Sequence, residues 1–139
     1  MISTELARRL RDAGLRWHPL SGDAFRIDSA EFESDVFTVS EMTIEAHEFD
    51  TGTILGFNGT TEWALDSVAI ERALWLPRED QLRQLLGAAF LSLTRLSDGR
   101  YRVLTLLEGR QSEFVADEPA QAYALALLAL VLHSTSPLA

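Results

Sequence analysis

The most constraining feature of the sequence is a segment near its end that is apolar almost all the way round. Residues 120–133 are Ala, Leu or Val except for Gln121, Tyr123 and His133. Pro119 fits the first turn of a helix that begins there. A helix without a polar face has to be covered on more than one side. One cover is expected to be a sheet, and the other is either the N-terminal helix or a partner subunit.

The larger side chains of this helix fall on two adjoining arcs at about 100° per residue. The other side holds a narrow strip of alanines, which either meets water or lets a neighbouring helix approach closely. We expect one of the two arcs to form an interface with a protein partner or with a second copy of the chain. The candidate interface residues are Tyr123, Leu127, Leu130 and Val131.

The same helix is too short to be read as a membrane span. Its apolar run covers fourteen residues, against roughly 18–20 needed to cross a bilayer. The N-terminal residues lack the apolar stretch of a signal peptide, and the chain has no cysteine. The sequence therefore predicts a cytoplasmic protein with no membrane partner.

The charge of the chain is concentrated in its middle. Residues 17–71 contain twelve acidic residues and one arginine, a net charge of −11. Phosphate binding needs clustered cations, so this distribution argues against a nucleic-acid partner. The acidic stretch is either a solvated face or a surface for a basic partner segment. All twelve basic residues are arginine, which excludes lysine Schiff-base chemistry and a P-loop lysine.

The remaining pattern predicts one α+β domain over residues 1–139. Ser3 is a candidate N-cap for a first helix, and Gly14 sits where its C-terminal cap is wanted. Between residues 17 and 57 the apolar period changes to two, with a short hairpin loop at 50–52 and a long irregular stretch at 66–76. A second helix starts at Pro77 and presents Leu82, Leu85 and Leu86. The predicted order is α-β(3-4)-α-β(3)-α, with antiparallel sheets.

The strongest hairpin signal lies between Phe90 and Leu107. Asp98-Gly99 is typical of a two-residue type I′ turn. With such a loop, the residues that face each other across the ribbon include two leucine pairs on one side. The predicted core face of the hairpin is therefore Leu91, Leu93, Leu104 and Leu106.

The sequence contains few signals of chemistry. None of the GxSxG, HExxH or DxDxDG patterns occurs, and the three histidines have no metal-ligand spacing. We therefore predict no catalytic residues, no metal and no cofactor. Tryptophans beside charged residues can line a ligand cleft, although they more often sit at the rim of a core. The candidate pocket residues are Trp17, Glu62, Trp63, Asp66, Arg72 and Trp75.

Three runs of the sequence carry a resemblance over nearly the whole chain. They are residues 6–15 (LARRLRDAGL), 56–68 (GFNGTTEWALDSV) and 73–82 (ALWLPREDQL). The chain resembles small actinobacterial proteins often labelled pilus-assembly CpaE-like. The resemblance implies a small bacterial protein and transfers no catalytic residue. Separately, the order of elements is similar to that of secretion chaperones, which are commonly homodimers that bind protein segments; this likeness concerns the fold alone.

Two functions are compatible with these observations. The first is a non-enzymatic protein-interaction domain, adaptor-like or chaperone-like and homodimeric, which the over-apolar helix and the acidic middle favour. The alternative is a small-ligand-binding protein or minor enzyme with a pocket around Trp63, Asp66 and Trp75.

Overall fold

A computed structural model of the chain describes residues 1–29, 35–39, 44–49, 52–57, 67–69 and 72–135. Within these ranges the predicted α+β class and its N-terminal, central and C-terminal helices are confirmed. The helices are α1 (Thr4–Ala13), α2 (Glu79–Leu86) and α3 (Pro119–Thr135). The strands are β1 (Ala24–Ile27), β2 (Phe37–Thr38), β3 (Ile44–Phe49), β4 (Gly52–Phe57), β5 (Ser67–Ala69), β6 (Ala73–Leu76), β7 (Phe90–Arg95), β8 (Tyr101–Leu107) and β9 (Arg110–Ala116).

These elements divide between two compact units. The helical unit comprises residues 1–16 and 77–139, and the strand unit comprises residues 17–76. The strand unit carries twelve acidic residues and two arginines, a net charge of −10, whereas the helical unit has a net charge of +1. The negative charge of the protein therefore belongs to the strand unit. The single domain over residues 1–139 stays a prediction.

In the helical unit, α1 begins and ends as its sequence predicts. The Ser3 hydroxyl accepts the backbone N–H of Leu6 at 3.1 Å, which caps the first turn. At the other end, Gly14 donates its N–H to the Arg11 carbonyl, and Leu15 donates to Leu10. These bonds satisfy carbonyls that the helix leaves unpaired. Both predicted caps are confirmed.

The hairpin between β7 and β8 differs from its prediction in loop length. The Gly99 N–H donates to the Leu96 carbonyl at 3.0 Å, and the Leu96 N–H donates to the Arg100 carbonyl at 2.7 Å. Gly99 has a φ of +90°. This is a three-residue loop that ends in a left-handed glycine. The Asp98 carboxylate accepts two hydrogen bonds, one from the backbone N–H of Arg100 and one from the Arg100 Nε. Both bonds lower the pKa of Asp98, the backbone one more strongly.

The longer loop changes which face of the hairpin is buried. Leu93 lies opposite Val103, and Ser92 lies opposite Leu104. A shift of one residue exchanges the two faces of a strand. Val103 and Thr105 are buried, whereas Leu91, Leu93 and Leu106 are exposed. The predicted core face of Leu91, Leu93, Leu104 and Leu106 is therefore wrong.

Within the helical unit, α3 is covered mostly by elements of the chain itself. It packs against β8 and β9 of the sheet β7-β8-β9, and also against α1 and α2. Ala122 and Ala126 are buried, so this part of the alanine strip does not meet water, while Ala129 is exposed. Leu132 keeps half of its surface exposed. The second cover over most of α3 is thus provided by helices.

The second helix is less apolar on its packed face than predicted. Leu82 and Leu86 are buried, but Leu85 is exposed. At its start, the Arg78 N–H donates to the Gln81 side-chain oxygen at 2.9 Å. Glu79 and Asp80 occupy the first turn, where the helix dipole favours acidic side chains.

The strand unit holds more strands than the three or four predicted. Its described residues form six, in the antiparallel sheets β2-β1-β6 and β3-β4-β5. The predicted hairpin between β3 and β4 is confirmed, although Gly52, which was expected in its loop, belongs to β4 and pairs with Phe49. The additional strands β5 and β6 lie in the stretch 66–76, which was expected to be irregular. Their shortness explains the difference, since three or four residues show little periodicity.

Candidate functional site

The structure brings together two of the three tryptophans of the predicted pocket. The Trp17 and Trp75 rings lie nearly parallel, with centroids 6.4 Å apart. Trp17 also contacts Phe25, which is fully buried and lies directly opposite Trp75 on the neighbouring strand. Arg72 is exposed. Glu62, Trp63 and Asp66 lie outside the described residues, so the pocket around Trp63, Asp66 and Trp75 stays a prediction.

A buried aspartate, Asp23, accepts hydrogen bonds from the loop that contains Trp17 and Leu20. Asp23 is 2% exposed, and its Oδ2 accepts the Trp17 indole N–H at 3.0 Å and the Leu20 backbone N–H at 3.1 Å. A buried carboxylate needs such donors, because charge without partners is costly to bury. The Trp75 indole nitrogen is also buried but has no acceptor among the described residues. Asp23 therefore orders this loop.

The four candidate interface residues on α3 divide into two pairs. Tyr123 and Leu127 are 5% and 2% exposed, so within the single chain they are core residues. The Tyr123 ring packs on Phe90, with centroids 5.7 Å apart, and burial raises the pKa of its phenol. Leu130 and Val131 are half-buried. Only this second pair keeps surface that a partner can contact.

A cavity of about 300 Å³ lies under the C-terminal half of α3. Ala126, Ala129 and Leu130 form its helical wall, and Leu107 and Phe114 form its floor on β8 and β9. Leu86 and Ala89 close the side next to α2. The helical wall is apolar, and the space beside it lies next to the two small alanines.

Polar side chains converge at one end of this cavity. The His133 Nε2 lies 3.5 Å from the Glu108 Oε2 at the rim, and Arg110 joins them there. The hydroxyl-bearing residues Thr105 and Ser112 lie on the sheet side, and Thr105 is buried. Small-molecule sites usually combine apolar lining with convergent polar groups, and this cavity has both.

The rim is built on a strained turn. Glu108 has a φ of +52° and is followed by Gly109 with a φ of +79°. Positive φ at both positions is characteristic of a type I′ hairpin turn, which Asn or Gly fills more easily than Glu. Residues in such conformations concentrate at functional sites. The turn fixes where the Glu108 and Arg110 side chains leave the sheet.

A second depression lies at the opposite end of α3. It has a volume of about 680 Å³ and is lined by Ser3, Arg9, Arg100, Asp117 and Gln121, among others. It mixes charges of both signs. It is more open than the first cavity and lacks an apolar helical wall, so the first cavity is the better candidate for a ligand site.

The described ranges contain neither a metal-binding cluster nor a membrane-spanning helix. No three His, Asp or Glu side chains among these residues come together in a way that could hold a metal ion. None of the helices described combines the length and hydrophobicity that a membrane span requires.

Comparisons with protein-family models, with curated proteins and with solved structures find no match to this chain. The resemblance to the CpaE-like proteins and the likeness to secretion chaperones therefore stay predictions.

The sequence signals did not point to the cavity under α3. In the sequence, His133 is one of three histidines without metal-ligand spacing, and no pattern marks Glu108 or Arg110. The Glu108-Gly109 pair is a weak turn signal, since Glu is uncommon at positive φ. The cavity itself depends on how α3 and the sheet diverge, which no local pattern records.

Proposed function

We propose that the chain is a binding protein that holds a small amphipathic molecule in the cavity under α3. The observation that carries the proposal is the combination of an apolar helical wall with a polar rim. No step of chemistry is needed to account for these residues. A cytoplasmic location is part of the same proposal and rests on the sequence alone.

The size of the cavity limits the ligand. An apolar cavity of about 150 Å³ accepts benzene, so about 300 Å³ has room for a group of roughly ten non-hydrogen atoms. Burying such a group removes its apolar surface from water, which is the main source of its affinity. The polar rim then orients the end of the molecule that stays near solvent.

The test is a titration with hexanamide, a neutral amphipathic probe that fits this volume. Backbone amide shifts in an NMR spectrum should change at Leu107, Phe114 and Ala129, and the melting temperature should rise with probe concentration. The variant Ala126→Leu fills the cavity from its helical wall and should abolish both effects. Ala88→Leu is the matched control, because Ala88 is exposed and does not line the cavity. Amide shifts scattered over the surface, unchanged in Ala126→Leu, would contradict the proposal.

Exposed apolar residues favour a second candidate function, the protein-interaction domain predicted from sequence. Leu106 is 42% exposed and Leu104 half-buried on the face of β8 that alternates with the buried Val103 and Thr105. A contiguous patch of exposed apolar side chains commonly marks a protein contact. This face supports a homodimer or another protein partner.

Light scattering at micromolar concentration tests this second candidate. A homodimer should give twice the chain mass of 15.5 kDa, and Leu106→Asp should return the mass to that of one chain. Gln84→Asp is the control, because Gln84 is exposed on α2 and does not belong to the sheet. If the wild-type protein has the mass of one chain, the homodimer is excluded.

A further inference from the structure

We propose that the ligand of the cavity is a small monocarboxylic acid, whose carbon chain lies under α3 and whose carboxylate pairs with Arg110. The inference rests on the proposed binding function and adds the chemistry of the ligand's head group. The observation behind it is the positive charge of Arg110 at the rim of the cavity.

Arg110 is placed to receive an anion. It is the first residue of β9, lies opposite Leu107, and shares the cavity lining with it. Elsewhere in the described chain, Arg78, Arg100 and Arg102 each have a carboxylate within 4.0 Å, but no such ion pair with a described residue is found at Arg110. The planar guanidinium group matches a carboxylate with two parallel hydrogen bonds. An acid is therefore the head group that Arg110 can complement.

Two groups at the rim carry negative charge or partial charge and would attract a cation instead of an acid. The carbonyls at the C-terminal end of α3 attract positive charge, although this effect is screened and confined to the last turn. Glu108 is the second, but its Oε2 already faces the His133 Nε2 at 3.5 Å, and its side chain is 72% exposed. Water and the imidazole thus reduce its attraction for an amine. The Arg110 guanidinium remains the strongest contact available.

The groups inside the cavity agree with this choice. Thr105 and Ser112 lie on the sheet side of the lining, and their hydroxyls can donate to a carboxylate oxygen. Phe114 lies further from the turn than Thr105 and Ser112, whereas Leu107 lies opposite Arg110 at the rim. Hexanoate, with about eight non-hydrogen atoms, fits a cavity of this size and serves as the probe.

The experiment compares hexanoate with hexanamide, which has the same shape without the charge. Hexanoate should bind about fivefold more tightly, as expected for one partly exposed charge-assisted contact. In Arg110→Gln this preference should disappear while hexanamide binds as before. Arg95→Gln, which changes an exposed arginine outside the lining, should keep the preference.

The possible outcomes separate this inference from the function on which it rests. If neither probe binds, the proposed function itself is wrong. If both bind equally to the wild type, or if hexylamine binds more tightly than hexanamide, the cavity binds ligands but the carboxylate assignment is overturned. If the preference survives in Arg110→Gln, another group receives the acid and Arg110 does not.

Discussion

The indole N–H of Trp17 donates a hydrogen bond to the buried carboxylate of Asp23, with Nε1 and Oδ2 3.0 Å apart. The Trp75 ring lies parallel to Trp17, yet its own indole nitrogen is buried without an acceptor among the described residues. Two stacked tryptophans of one cluster therefore differ in whether their N–H is used. This difference makes a controlled test of the hydrogen bond possible.

Trp17→Phe should destabilise the protein more than Trp75→Phe. Both changes remove the same ring volume, but only the first takes a donor from Asp23, which costs about 1–3 kcal/mol in a buried site. Trp75→Phe removes a buried polar group for which the described chain offers no acceptor, which offsets part of its packing loss. The free energies of unfolding from urea titration give the difference. Equal losses in the two variants would show that the Trp17–Asp23 bond adds nothing to stability.

Glu108→Asn should stabilise the protein by about 0.5–1 kcal/mol, because Asn adopts positive φ at lower cost than Glu. The substitution would also place an Asn-Gly pair in this turn, the dipeptide most favoured in type I′ turns. The Glu108–His133 contact that is lost is largely exposed and contributes little. Glu108→Ala is the control, since it removes the same contact but keeps the strain. Chemical unfolding should rank the Asn variant above wild type and the Ala variant at or below it; the reverse order would contradict the turn assignment.

The fold was predictable from sequence where local signals decide it. The caps at Ser3 and Gly14 follow from backbone groups that any helix leaves unpaired, and they were found. The register of the β7–β8 hairpin was not, because Asp98-Gly99 suits a two-residue loop and also the last two positions of the three-residue loop that forms. That one residue exchanged the buried and exposed faces of β8.

The candidate site depends on relations between distant residues, which sequence patterns describe poorly. Trp17 and Trp75 are far apart in the chain, and their proximity to each other follows from the pairing of β1 with β6. The cavity under α3 lies between Ala126 and Ala129 on one side and Leu107 and Phe114 on the other. The apolar character of α3 predicted that it needs covers. It did not predict that one end of the helix would be covered incompletely.

Tyr123 should ionise at a higher pH than an ordinary tyrosine, whose pKa is about 10. Burial raises the pKa of its phenol, partly opposed by the positive charge of Arg83. Because the unfolded chain releases this proton first, the free energy of unfolding should fall as the pH rises above about 10. The chain has two tyrosines, so Tyr101→Phe leaves Tyr123 as the only one. Its phenolate absorbance should then show a midpoint above about 10, and a midpoint at or below that value would contradict its burial.

Leu127→Asp should unfold the helical unit, whereas Leu132→Asp should leave it folded. Both leucines lie on α3, but Leu127 is 2% exposed and Leu132 is 50% exposed. A carboxylate at the first position loses its hydration without gaining a partner and leaves the apolar contacts of Leu127 unmade, a change that costs about 4 kcal/mol or more. At the second position the carboxylate keeps its water, so the cost should stay below about 1 kcal/mol. Circular dichroism and thermal melting of the two variants measure the difference. Similar melting temperatures would mean that Leu127 is not buried between α3 and the elements packed against it.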